Sequence, residues 1–167
     1  MHNIIKNGAV SSDNWQIITA TDITDSNTLP SGDLVLPLAV WLQLRTELST
    51  RTLGVWLESS ALIENLDDAT LAAIKALPLI AIQFPLFSDG RGYSTAHILR
   101  KQIGYKGELR AMGDVLRDQL FFMQRVGFNS FSMRADQNLS EAVAHFNDFS
   151  NPYQAAVDQH PPLFQQR

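Results

Sequence analysis

The chain has 167 residues, 45% of them hydrophobic and 18% charged, with a formal net charge of -4 and no cysteine. That length suits one domain with an ordinary buried core, and the slightly acidic balance argues against broad nucleic-acid binding. The missing cysteines exclude disulfides, dithiol redox chemistry, thiolate nucleophiles and cysteine-ligated iron-sulfur clusters.

In chain order, residues 1–30 read as a small antiparallel preface. IIKNGAV places an Asn7-Gly8 turn between short apolar runs, and WQIITAT follows as a strand. Five short β-leaning runs come next: DLVLPL, LGVWLE, LIAIQF, GELRAM and FNSFSM. The stretches between them have helical spacing, with helices expected at about 38–49 and 68–76, through STAHILRKQIG, through DVLRDQLFFMQRVG and at about 139–149 after an Asn138 cap. Ser94 and Asp114 are the expected caps of the third and fourth helices, and Gly104 and Gly127 their left-handed stops.

Strands separated by helices pair in parallel through right-handed crossovers. The expected fold is therefore a single α/β domain, residues 1–167, with a mostly parallel sheet of about five strands flanked by helices and a small N-terminal β-hairpin. An open sheet and a partial βα barrel both fit, and a second copy completing a partial barrel would make a homodimer. Residues 151–167, rich in proline, read as an extended arm. The start lacks the pattern of a secretory signal and no stretch reaches the roughly 20 apolar residues of a membrane span, so a cytoplasmic location with no membrane partner is expected.

Charge is unevenly placed. Residues 84–128 hold seven of the thirteen Lys and Arg residues against four of the seventeen acids, a net +3 where the rest of the chain carries -7. A positive island in an acidic protein points to an anionic ligand or partner. Within it, PLFSDGRGYS follows one strand and MGDVL the next, at the strand ends where βα proteins bind ligands. Gly90, Gly92 and Gly113 would allow close backbone approach. Arg91 and Arg110, with Tyr93, Ser94 and Arg117, would form an anion-binding or docking set. Asp89 and Asp114 are the candidate acids or bases.

Structural readings stand beside these. Asp89 or Glu108 could neutralise the arginines in a purely structural network, Asp114 could be only a cap, and the glycines could only make turns. Arg100, Lys101 and Lys106 read as a solvated face, and Arg117 and Asp118 as possible buried structural ions. His2, His97, His145 and His160 lack metal-ligand spacing, so no metal is expected, and no cofactor motif is present.

The segments FPLFSDGRGYS (84–94), LR (99–100), GELRAMGDVLRDQ (107–119) and RVGF (125–128), with YQAAVD and PLF near the end, resemble a bacterial family of unknown activity described as a probable oxidoreductase involved in sulfite reduction. Members are encoded beside the haemoprotein component of assimilatory sulfite reductase. The resemblance therefore implies a role in delivering electrons to that partner, assembling it or positioning its substrate. It implies that Arg91, Arg110 and Arg117 could meet sulfite, another oxyanion or the carboxylates of sirohaem, and it carries over no catalytic residue. A noncatalytic module gripping the haemoprotein, and a small hydrolase or lyase acting on an anionic metabolite through Asp89 or Asp114, are the alternatives.

Overall fold

The computed structural model describes residues 2–19, 29–147 and Val157. The expected 151–167 arm lies outside the described residues apart from Val157, whose N–H donates to the Arg125 carbonyl.

The hairpin forms as its sequence requires. Strands β1 (His2–Lys6) and β2 (Ala9–Asp13) pair antiparallel across Asn7 and Gly8, which sit at φ 50° and 77°. Such positive φ values at both loop residues match the twist of a two-residue hairpin, and Asn-Gly tolerates them best. The five central strands lie where the apolar runs put them: β4 (Leu34–Pro37), β5 (Leu53–Glu58), β6 (Leu79–Phe84), β7 (Glu108–Gly113) and β8 (Ser130–Ser132). WQIITAT contributes a sixth parallel strand, β3, of only two residues (Gln16–Ile17), paired with β4.

The sheet is therefore larger than the five strands expected. Its order is β2-β1-β8-β7-β6-β5-β4-β3, parallel from β8 through β3, with β1 antiparallel to both β8 and β2. Laid flat, eight strands at about 4.8 Å spacing would separate the edges by roughly 34 Å. Yet β2 and β3 are the two edges and only Asn14 and Trp15 lie between them. Three Cα steps span at most about 11 Å. The sheet must curl until its edges nearly meet, which decides between the open-sheet and barrel alternatives in favour of a barrel-like roll supplied by one chain.

Period-two alternation divides the strands between two cores. Outward residues such as Leu36, Val55, Ile82, Leu109 and Phe131 pack under the helices with Trp41, Ile74, Leu99 and Met123. Inward, Val35, Leu79, Ala81 and Met112 meet Trp15 and Trp56, and the Trp56 indole donates to the Ile18 carbonyl at 2.9 Å. An eight-stranded roll leaves an interior just wide enough for side chains, and these fill it.

The helices are α1 (Leu38–Leu44), α2 (Asp68–Lys75), α3 (Arg91–His97), α4 (Leu120–Val126) and α5 (Leu139–Ala142). The Asn138 cap is present, its side chain accepting from the Ser140 and Glu141 N–H groups. Gly104 and Gly127 end their helices at φ 72° and 118°. Two expected caps are corrected. The third helix begins at Arg91, so Ser94 lies inside it, and it runs on as a π-helical turn over Ile98–Gln102. Before α4 the chain makes a 3-10 turn at Arg117–Gln119, and the Asp114 carboxylate is engaged elsewhere.

Arg100 also departs from expectation, being no solvated surface residue. Its Nε donates to the Gly127 carbonyl at 2.8 Å and its Nη1 to those of Tyr105 and Gly107, each at 2.9 Å. One guanidinium thus ties together the ends of two helix-to-strand connections. A lysine cannot reproduce that fork, so Arg100→Lys is expected to cost about 2 kcal/mol and lower Tm by roughly 4–8 °C in thermal denaturation.

Candidate functional site

The two loops singled out by charge do meet, at the carboxyl ends of β6 and β7, which pair through Phe84 and Gly113. What they build differs from an arginine-lined pocket.

Asp89 sits just before α3. Its Oδ1 accepts from Arg91 Nε at 2.9 Å and from the Arg91 N–H at 3.2 Å, and its Oδ2 accepts from Arg91 Nη2 at 2.8 Å and from Ser59 Oγ at 2.6 Å. The Arg91 fork, helped by the Ser59 hydroxyl, holds this carboxyl well below the usual carboxylate range. Asp89 is therefore an ionised anchor. Ser59 is buried, whereas the Arg91 side chain remains 64% exposed while paired.

Asp114 has a comparable task. Its Oδ2 accepts from the Phe87 N–H at 2.8 Å and its Oδ1 from Arg134 Nη1 at 2.9 Å. Arg134 is also forked onto Asp136 at 2.7 and 2.8 Å, and Arg134 holds the Asp136 carboxyl down at about 2. Gln119 completes the frame by donating to the Phe87 carbonyl at 2.7 Å while accepting from the Leu116 N–H at 3.2 Å. Both backbone polar groups of Phe87 are thereby pinned by side chains from the connection after β7. The Phe87 ring is nevertheless 55% exposed and Leu86 beside it 61%.

Arg110, expected at the rim beside Arg91, lies inside the roll. It is the third residue of β7 and only 1% exposed. Its guanidinium grips Asp13 through Nη1 and Nη2 at 2.8 and 3.0 Å, Glu108 through Nη2 at 2.7 Å, and Ser130 Oγ through Nε at 3.2 Å. Lys6 adds a contact to Glu108 at 2.6 Å. Burial pushes the Glu108 carboxyl up, but Lys6, Arg110 and Ser130 together hold it below its ordinary value. Two cations and two carboxylates make a neutral set, so the structural reading through Glu108 is the one the geometry gives for Arg110. Arg91 and Arg110 share no partner, and each already has an internal carboxylate.

The remaining candidates separate in the same way. Tyr93 stacks between Phe84 and Phe122 at centroid distances of 5.4 and 5.2 Å, and burial pushes its hydroxyl pKa up, with Asp118 adding to it. Ser94 is exposed on α3. Arg117, expected as a possible buried ion, is 56% exposed and 3.8 Å from Glu141. Gly92 is required for packing, because a Cβ there would lie 2.8 Å from the Phe84 ring, whereas Gly90 has open space around it. Gly113 sits at φ 100° with the Phe84 carbonyl oxygen 2.4 Å from where a Cβ would be.

Sequence reasoning missed Ser59, Gln119 and Arg134 as members of the rim, and Lys6 and Asp13 as members of the interior network. It also passed over Leu86 and Phe87, although both stand inside the segment that carried the resemblance. Two apolar residues in a loop bounded by Pro85 and Gly90 were the available signal. Among the described residues no group of three or more His, Asp and Glu side chains is placed to hold a metal ion, and no helix is long and apolar enough to cross a membrane.

No curated protein and no solved structure matches the chain. A family model does match residues 54–164, about two thirds of the sequence, a span that includes Ser59, Phe87, Asp89, Arg91, Glu108, Arg110 and Asp114 but neither Lys6 nor Asp13. The chain belongs to the family described as bacterial protein of unknown function (DUF934).

Proposed function

We propose that this protein is a noncatalytic accessory factor for assimilatory sulfite reduction that docks on the sulfite reductase haemoprotein through the rim carrying Leu86, Phe87 and Arg91. The observation that carries the docking half is the held but exposed Phe87. Its N–H is taken by Asp114 and its carbonyl by Gln119, so the ring is presented from a backbone that loses little freedom on binding. Aromatic anchors flanked by arginine are the residue types that dominate interface energetics. The sulfite half rests on the likeness of FPLFSDGRGYS and GELRAMGDVLRDQ, the two segments that interlock here.

An oxyanion pocket is the weaker reading, since Arg91 and Arg110 are each paired with protein carboxylates. The hydrolase or lyase alternative would need Asp89 or Asp114 to exchange protons, and Asp89 already accepts four hydrogen bonds and Asp114 one on each oxygen.

Copurification tests the reading. Tagged wild-type protein should retain the haemoprotein, and Phe87→Glu should weaken the complex at least about tenfold, because it places a charge at the centre of the contact. Phe87 is exposed, so its unfolding transition should be unchanged. Cells carrying Phe87→Glu should grow poorly on sulfate and normally on cysteine. Equal retention by both proteins, or normal growth on sulfate, would refute the proposal.

A further inference from the structure

The other end of the strands carries a groove with two arginines. A groove of about 500 Å³ opens between the turn after α1 and the starts of β5 and β6, lined by Trp41, Leu48 and Leu77 together with Arg45, Ser49 and Arg51. Thr46 and Thr52 add two more hydroxyls, and no Asp or Glu among the described residues lines it. Among the described residues neither arginine has a carboxylate within ion-pair distance. The contrast with Arg91, Arg110 and Arg134, each matched to acids, is what sets this groove apart.

The two guanidiniums are held in different ways. Arg51 reaches the Pro30 and Gly32 carbonyls with Nη2, which fixes the group while leaving its other N–H donors outside those bonds. Arg45 lies over the Trp41 ring at 5.1 Å, a cation–π contact that holds the group at the groove without using a carboxylate. A cation near the end of α1 also suits the helix dipole, which accounts for one charge there but not for two on a wall with no acid among the described residues. The volume falls in the range of small-molecule sites, and the lining combines an apolar floor with a few polar donors.

We propose that this groove binds a small organic anion, a flat apolar body lying against Leu77 and Pro78 with a carboxylate or phosphate head taken by Arg45 and Arg51, close enough to the buried Trp41 beneath Arg45 for its signal to report binding. The site is at the opposite end of the strands from the docking rim, so it stands or falls independently of that reading.

The full chain, labelled with nitrogen-15, would be titrated with benzoate and with phenyl phosphate at constant ionic strength while the Trp41 indole N–H signal is followed. That signal would be assigned by Trp41→Phe. Saturable shifts with a Kd of about 1 mM or tighter are expected for at least one probe. The tighter of the two identifies the head group. Arg45→Gln, at a half-buried position, should weaken that probe at least about tenfold while leaving the far-ultraviolet dichroism unchanged. Arg91→Ala at the rim should leave it unaltered. No shift of Trp41 up to about 20 mM, equal binding by Arg45→Gln, or equal binding of neutral benzyl alcohol would overturn the proposal.

Discussion

Replacing Arg110 by Met is expected to destabilise the protein by about 3–5 kcal/mol, lowering Tm by roughly 6–20 °C. The guanidinium is 1% exposed and is the partner through which Asp13 and Glu108 are neutralised inside the roll. Removing it strands two nearly buried carboxylates, with only the half-exposed Lys6 left to meet one of them. The loss reflects that uncompensated burial more than the worth of the ion pairs, so replacing all three groups together, with Asp13→Leu and Glu108→Leu added to Arg110→Met, should recover much of it. The pH dependence has a definite sign. Glu108 has a folded pKa below its unfolded value, so its contribution is present above the unfolded value of about 4.3 and fades as pH falls through the folded one. Once protonated, Glu108 no longer needs a cation. The gap between wild type and Arg110→Met, measured by urea unfolding, should therefore narrow in acid.

Gly113→Ala is expected to cost about 3 kcal/mol or more, for two reasons that add. Its φ of 100° disfavours any L side chain, and a Cβ would stand 2.4 Å from the backbone oxygen of Phe84, which cannot swing aside as a side chain could. Because Gly113 precedes Asp114, the shift should also loosen the hold on Phe87, so the variant should lose haemoprotein binding along with stability. Gly90→Ala makes a suitable control. Its φ is -79° and nothing lies within 4 Å of the new methyl, so unfolding should change by less than about 0.5 kcal/mol.

These two residues show where the chain could and could not be read. β5 and β6 begin and end where their apolar runs do, because parallel strands buried on both faces need unbroken hydrophobic sequence. Alternation along Glu108–Gly113 already puts Glu108 and Arg110 on one face, away from Leu109 and Ala111, which favours the structural network. The third partner, Asp13, is 97 residues distant and reaches Arg110 only because the sheet curls. Nothing local announces that. The curl itself follows from the two-residue β3 joining β4 at the far edge; WQIITAT reads as a strand, but nothing in it names that partner. Cap rules erred at Ser94 and Asp114 for a related reason. They ask what is nearest in sequence, whereas the Asp114 carboxylate answers to Phe87, 27 residues earlier. The rim segments were legible as unusual, and Arg91 and Arg117 do face outward, but the exposed Leu86 and Phe87 beside them were not among the charged residues the island emphasised.

Amide hydrogen exchange of the full chain, with and without the sulfite reductase haemoprotein, tests the docking account most directly. Slowed exchange concentrated over the Leu86–Arg91 loop, with the β7 interior around Arg110 unchanged, is the predicted result. A loop that exchanges at the same rate in the presence of saturating haemoprotein would contradict it.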